Sequence, residues 1–588
     1  MERKFLTTIT GIFKDLHRRI IPEDKLSDGV NLLFEDGKVK RRSGYSVLGN
    51  QLNGPVTSLT WFELLGTASK FLVATTTKDA YKYSSADDEW TFLTAVHTDG
   101  TVTATTAAAT VTGSASGWSS SWPASAYQIK FSTSDPNASG TWYTVSAVAS
   151  ATSLTLTTNA PAITDGAYVI RKCWTNDEDQ PHDVALPVKD YERLMVVTNG
   201  IEVPKKWDGG AGYFEDLGGT PNVSRYCGYF GSVGFEHLYL GWTVDTGNDQ
   251  PFTLEMSDAG DPESYVEALY YDLMNTNDEV VGMKSLGQNV VIYKKESITV
   301  AWPTGSADDP LQFKQNHING IGTPSIRTVQ DFGNFHLFMG NDNVYRFDGM
   351  QVVPVGDAIT NTMIRSLNSG KAHRAFSMKM VDKHLYGLFV PTSADYPDKG
   401  YIYNYIEDSW TIWEFAQQMT AFGYWYSDSS ETWETWDDAG TTWNDLLSSG
   451  ESWSDFLSYG GTPTYLFGDK DGYVYEFGSG TDNGTNISAN MTTRDYPLND
   501  PKQLFKLLEL LIGISQSSAG ALRVKASVNF GGEWSGWGAI DLAGTTEYFE
   551  RIVNFLMRGT QVRFYIENMS GANFEIESLI VGFNNAGI

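Results

Sequence analysis

One motif, repeated along the chain, limits the possible folds more than any other feature. It is a strand with aromatic residues in alternation, then a polar or Gly turn, often followed by a return strand. It occurs as Tyr81-Lys82-Tyr83 leading to Trp90-Thr91-Phe92 and as Lys206-Trp207-Asp208-Gly209-Gly210 leading to Tyr213-Phe214. Ser297-Ile298-Thr299-Val300-Ala301-Trp302 is a looser copy. Val344-Tyr345-Arg346-Phe347-Asp348-Gly349 leads to Val352-Val353-Pro354-Val355, and Tyr401-Ile402-Tyr403-Asn404-Tyr405 leads to Trp410-Thr411-Ile412-Trp413. Gly472-Tyr473-Val474-Tyr475-Glu476-Phe477 closes the series. Clean gaps between copies are about 45–60 residues, the size of a four-stranded blade. One such sheet cannot bury both of its faces, so copies must stack on each other around an axis. The expected fold is all-β: a six- or seven-bladed β-propeller over residues 55–99 and 172–480.

The rest of the chain divides around that array. At 588 residues it has room for about four domain-sized units. Residues 1–54 read as an N-terminal segment leading into the array. Residues 100–171 shift to Thr, Ser and Ala with almost no charge, and their short strands predict a small inserted β-sandwich or barrel. Residues 428–460 form a tandem of decads, in which Asp428-Ser429-Ser430-Glu431-Thr432-Trp433 is echoed at Asp438 to Trp443 and at Ser448 to Trp453. Ten residues are too few for a blade, so this reads as a Trp-rich loop inside the array. Residues 491–588 carry strands without the motif and read as a C-terminal β-sandwich. Helical patterns are confined to Gly11–Arg19 and Ile359–Ser369.

Composition removes several classes of function. Eighteen Trp, 30 Tyr and 30 Phe supply a sizeable core, which excludes global disorder. Forty-two Lys and Arg stand against 71 Asp and Glu, a formal charge of −29. Non-specific duplex binding by phosphate neutralisation needs the opposite field. No apolar run reaches the roughly 18–20 residues of a membrane span, so a soluble chain is expected. The N-terminus lacks the apolar stretch of a signal peptide. Cys173 and Cys227 are the only cysteines, too few for a disulfide framework or a Cys-rich metal site.

Catalytic motifs are scarce. The eight histidines show no HExxH or HxH spacing, and neither a GxSxG elbow nor a GxxxxGK[ST] loop occurs. Asp469-Lys470-Asp471-Gly472 is read as a hairpin turn rather than a calcium loop. Asp438-x-Gly440-x-Thr442-Trp443 partly matches the Asp-box of sialidase-like propellers, but Asp-boxes fall once per blade and these decads are tandem. No cofactor, metal or catalytic residue is expected, and the chain reads as not an enzyme. Lys38, Lys40, Arg41 and Arg42 stand out against the acidic background as a candidate partner-contact cluster or a solvated turn. Trp433, Trp436, Trp443 and Trp453 are a candidate gate or docking loop.

Several segments, taken in order, resemble one family. Asp28-Gly29-Val30-Asn31-Leu32 with Gly37-Lys38-Val39-Lys40-Arg41-Arg42-Ser43-Gly44-Tyr45 is similar to the opening of tail nozzle (tail hub, or DNA-stabilising plug) proteins of short-tailed bacteriophages. His237-Leu238-Tyr239-Leu240-Gly241, followed by Leu254 to Tyr265 with its Ser257-Asp258 and Asp261-Pro262 pairs, resembles one of their blades. So does Lys295 to Thr299 followed by Gly320-Ile321-Gly322-Thr323-Pro324-Ser325, and Val562 to Asn568 with Phe574-Glu575-Ile576 resembles their closing sandwich. The likeness covers most of the chain outside residues 100–171 and the Trp decads.

The resemblance implies a virion protein of the phage tail, made in the host cytoplasm. It implies a homo-oligomeric ring, usually a hexamer in that family, below portal and adaptor proteins and beside tail fibre, spike or needle proteins. Genomic DNA would pass through the lumen without sequence-specific binding. An acidic lumen would repel a sliding polyanion and keep it from sticking. Two other classes compete. A carbohydrate-binding or glycan-cleaving propeller predicts convergent carboxylates or Arg at one mouth of the array. A cellular scaffold of the WD-repeat kind predicts Gly-His and Trp-Asp at fixed blade positions. Trp207-Asp208 and Trp436-Asp437 occur here without the Gly-His partner.

Overall fold

The computed structural model describes the 588 residues except 7, 66–68, 121, 123–126, 137, 139, 173, 175–181, 232–235, 266–268, 276, 307–309, 427–462, 499–502, 530–532, 544–547, 570 and 586–588. It is nearly all-β. Through its middle run seven four-stranded antiparallel sheets. The first is Val56–Glu63, Lys70–Thr76, Ala80–Ser84 and Glu89–Phe92. The second is Asp183–Ala185, Met195–Thr198, Lys205–Trp207 and Glu215–Asp216. The third is Val223–Phe230, His237–Asp245, Asn248–Met256 and Leu269–Asp272. The fourth is Val280–Leu286, Asn289–Lys294, Ser297–Pro303 and Leu311–Asn319. The fifth is Gln330–Asp331, His336–Met339, Val344–Phe347 and Val352–Pro354. The sixth is Phe376–Met380, Leu385–Val390, Lys399–Asn404 and Ser409–Glu414.

The seventh sheet is built differently. Met419–Tyr426, Pro463–Asp469 and Val474–Ser479 take their fourth strand, Gly44–Val47, from the far end of the chain. The repeated aromatic motif falls on the third strand of every sheet but the third. At that position in the hairpin its large rings pack between neighbouring sheets, and Trp207 and Tyr401 are 1% and 0% exposed. A side chain of that size contributes about 1.5–3 kcal/mol when fully buried.

Each sheet shares an apolar cluster with the next. Phe62 and Val73 meet Met195 and Trp207, and Val196 meets Leu238 and Leu240. Met256 meets Met283 and Ile292. Tyr293 meets Phe338 and Phe347. Met339 meets Tyr386 and Leu388, and Phe389 meets Phe467. The seventh sheet in turn meets the first, where Ala421 and Leu466 pack with Leu59 and Leu72.

The two ends of the chain make one body. Glu2–Phe5 and Lys38–Arg41 both pair with Phe574–Asn585, while Asp28–Val30 pairs with Asn490–Thr492. The resulting six- and five-stranded sheets enclose a core in which Leu6, Ile12, Leu32 and Phe34 join Leu510, Ile512, Val524 and Phe564. Residues 96–172 form an eight-stranded sheet around Val102, Val111, Trp118, Ile129, Leu154 and Tyr168. Its buried Arg171 reaches back to Asp79 of the first sheet at 3.0 Å.

Two helix expectations meet different outcomes. Gly11–Arg19 is not helical: Gly11–Ile12 pairs in parallel with Lys25–Leu26, and Ile12 is drawn into the sandwich core. Tertiary burial there outweighs helical periodicity. Thr360–Ser366 is a helix, shorter than the expected stretch and anchored by buried Met363. The Trp decads leave and rejoin the seventh sheet at the paired residues Tyr426 and Pro463. Trp433, Trp436, Trp443 and Trp453 lie outside the described residues.

Candidate functional site

The first strands of the second, third and fourth sheets, and the turns that lead into the fifth and sixth, converge on one cavity of about 680 Å³. Each sheet is an antiparallel meander, so the start of its first strand and the turn between its second and third lie at the same end. That is why Asp183, Arg225 and Glu279 share this cavity with Lys295, Glu296 and Asn341 from such turns. A 3-10 turn at Ile326–Thr328 brings Arg327, and another at Ser369–Arg374 brings His373.

Asp183 accepts backbone N–H groups from Val184 and Cys227, each at 3.1 Å. The second of these links the second sheet to the third. Burial pushes its carboxyl above the ordinary range, against the opposing pull of Lys284, the two N–H donors and Arg327. Arg327 donates to the carbonyl of Thr420. Burial lowers its guanidinium to about 10, with Asp183 pulling the other way. His182 shares a 3.0 Å hydrogen bond with the Thr57 hydroxyl. Burial lowers it to about 3 and Arg327 adds to the effect, so the ring is neutral near pH 7. Glu279 is paired with Lys295 at 2.8 Å, and Glu296 is exposed at the rim.

Arg225 is held from two sides. Its guanidinium lies 3.3 Å from the centre of the Trp242 ring, a contact worth roughly 0.5–2 kcal/mol. Trp242 has a φ of +54°, at a break in register between Gly241 and Thr243. A bulky side chain in left-handed backbone is a strained arrangement, and such strain gathers where a side chain must be aimed. On the other side Gly200 has a φ of +74°, and a Cβ there would stand 2.6 Å from Arg225 Cγ. Among the described residues neither Arg225 nor Arg327 forms an ion pair, and the buried Arg225 Nε has no hydrogen-bond partner.

The basic cluster expected from sequence lies elsewhere, and its side chains are engaged within the chain. Lys38 pairs with Glu577 at 2.8 Å, and Lys40 with Glu35 at 3.1 Å and Glu575 at 3.5 Å. Arg42 is 1% exposed and makes two bonds to Asp482. It donates further to Asn31, Ser43 and Glu414. Arg41 is buried, and its Nε and Nη1 have no hydrogen-bond partner among the described residues. Lys295, Glu296, Pro324 and Ser325 belong to segments quoted for the resemblance, but no cavity residue was assigned a functional role from sequence. The repeat marks third strands, whereas the cavity is lined by the starts of first strands and by turns, where no common residue type recurs.

Among the described residues no group of three or more His, Cys, Asp or Glu is placed to hold a metal ion. Among the described residues no helix is long and apolar enough to cross a membrane.

No family model matches the chain, and no curated protein matches it. Solved structures similar to it include an exo-β-1,3-galactanase from Phanerochaete chrysosporium with galactose, at 10% identity and a TM-score of 0.21. That match covers 60% of this chain and 95% of the galactanase. A variant of the same enzyme with β-1,3-galactotriose matches at the same identity and TM-score, over 63% and 97%. These neighbours are glycoside hydrolases, which corrects the expectation that the chain is not an enzyme: that exclusion is withdrawn. A likeness at this level assigns no activity, and any chemistry must come from the residues of this chain.

Proposed function

We propose that the seven sheets are the blades of a seven-bladed propeller, closed by the Gly44–Val47 strand, and that the chain is a tail nozzle or hub protein of a short-tailed phage. The observation that carries this reading is the placement of the residues on which the resemblance rests. Asp28–Val30 and Lys38–Arg41 lie in the terminal sandwich, and Gly44–Val47 is the outer strand of the seventh sheet. The opening segment therefore joins sandwich and array through paired strands, which suits the wall of a conduit. A ring of such bodies needs heterologous contacts that close by rotation. The acidic surplus would face its lumen, and DNA would be retained and released through it. Electron microscopy of the purified chain and of assembled particles tests the assignment: a ring with a negatively charged axial bore supports it, and a neutral or basic bore counts against it.

A second reading, a carbohydrate-binding or glycan-cleaving propeller, is favoured by the cavity itself. Carboxylates and arginines converge at one mouth of the array, as that class requires. Screening the full chain against immobilised glycans and chromogenic glycosides tests it. Saturable binding or turnover supports this reading, and inertness toward every glycan removes it.

A further inference from the structure

The cavity is lined by two guanidinium groups, Arg225 and Arg327, that form no ion pair among the described residues. Arg225 is clamped between the Trp242 ring at 3.3 Å and the glycine backbone at 200. Arg327 sits in a 3-10 turn whose flanking residues Ile326 and Thr328 are buried, with one of its donors fixed on Thr420. Both line the same cavity, and neither forms an ion pair among the described residues. Arg42 and Arg171, by contrast, each answer an acid, Asp482 and Asp79. Both Arg225 and Arg327 are half-buried, and only Arg327 feels a nearby acid, Asp183, which also accepts two backbone N–H groups. A partly desolvated guanidinium without an ion pair gains from an anion that supplies one. The guanidinium fork matches a carboxylate or phosphate in two parallel bonds, and a fork already held in place loses little freedom on binding.

We infer that this cavity binds a small hydroxylated molecule bearing one oxyanion, of the class of an acidic monosaccharide, with Arg225 and Arg327 receiving the oxyanion. Glu279, Glu296 and Asn341 also line the cavity and supply acceptors for its hydroxyls. The volume, about 680 Å³, falls within the range of ligand pockets. Trp242 acts as a positioning residue: its ring sets the plane of the Arg225 fork from beneath. The inference deepens the carbohydrate reading, and rests on it only in taking a sugar to carry the oxyanion.

Isothermal titration of the full chain with glucuronate, galactose and inorganic phosphate tests it. Glucuronate is expected to bind saturably and at least roughly tenfold more tightly than galactose, the difference one charge-assisted pair supplies. Arg225→Met and Arg327→Met should each weaken glucuronate by roughly tenfold or more. Arg225→Lys keeps the charge without the fork and should fall between wild type and Arg225→Met, which keeps the test valid if the Met variant folds poorly. Trp242→Leu should weaken glucuronate while leaving galactose unchanged. Equal binding of galactose and glucuronate, indifferent to both arginine variants, overturns the oxyanion assignment and leaves the carbohydrate reading standing. Phosphate binding abolished by both variants, with no sugar bound, supports the arginine pair and overturns the sugar as its source. Binding of none of the three probes overturns the inference entirely.

Discussion

Arg42 and Asp482 meet through two nearly parallel bonds, Nη1 to Oδ1 at 2.8 Å and Nη2 to Oδ2 at 2.6 Å. Their side chains are 0% and 7% exposed. Arg42 also donates to Asn31 Oδ1 at 2.8 Å and to the Glu414 carbonyl at 2.7 Å, and its fork lies 4.5 Å from the Phe415 ring centre. One side chain thus ties the N-terminal segment, the sixth sheet and the loop after the seventh. Removing one partner of such a pair strands the other as a buried charge. Asp482→Asn is expected to lower stability by about 3–5 kcal/mol, read as a drop in the denaturant midpoint. Asp482→Asn with Arg42→Met together should cost less than the sum of the two single changes.

Glu263 clasps the second sheet to the third. It accepts from Lys206 at 2.7 Å, from Lys189 at 3.0 Å and from the Gly218 N–H at 3.1 Å. Burial pushes its carboxyl up, but the hydrogen bonds from Lys206 and Lys189 outweigh this and hold it below its ordinary value of 4.5. A carboxyl with a folded pKa below its unfolded one stabilises the fold above the unfolded value, and that stability is lost as pH falls through the folded value. Glu263→Gln should therefore cost about 1–3 kcal/mol at pH 7. Denaturation of the two proteins across pH 3–7 should show the gap closing toward the acid end. A gap that stays constant with pH contradicts the clasp.

Asp79 and Arg171 join the inserted sheet to the first of the seven. Their side chains are 0% and 2% exposed at 3.0 Å. Burial raises the Asp79 pKa although Arg171 opposes it. Arg171→Met removes the opposing charge, so the carboxyl should rise further. A group with a raised folded pKa favours the folded state more as pH falls. The loss of stability in Arg171→Met is thus expected to be larger at pH 8 than at pH 5, measured by thermal unfolding at both.

Gly200 lies next to the cavity. With a φ of +74° and only 2.6 Å between its would-be Cβ and Arg225 Cγ, it tolerates no side chain without displacing Arg225. Gly200→Ala is expected to cost about 1–2 kcal/mol and to weaken glucuronate binding, by calorimetry, as Arg225→Lys does. Unchanged affinity in a folded Gly200→Ala protein contradicts the positioning of Arg225.

The array was legible because burial between sheets demands large rings at one recurring position. The motif around Tyr81, Trp207, Tyr345, Tyr403 and Tyr475 marks third strands throughout. The third sheet escaped it: its third strand, Asn248–Met256, begins exposed and polar. The last strand of the seventh sheet could not be read locally, since Tyr45 reaches Phe477 by long-range pairing. For the same reason residues 1–54 read as a segment apart, although Leu32 and Phe34 belong to the sandwich core. The basic run at Lys38–Arg42 was visible as charge, but its partners Glu575, Glu577 and Asp482 are distant in sequence. The cavity residues Asp183, Arg225 and Arg327 are scattered singly, and nothing short of the fold brings them together.

The nozzle reading stands or falls on assembly. Class averages of the purified full-length protein by electron microscopy, recorded alone and after mixing with phage portal complexes, test it most directly. Closed rings with an open axial bore are the outcome expected; solitary particles under both conditions contradict it.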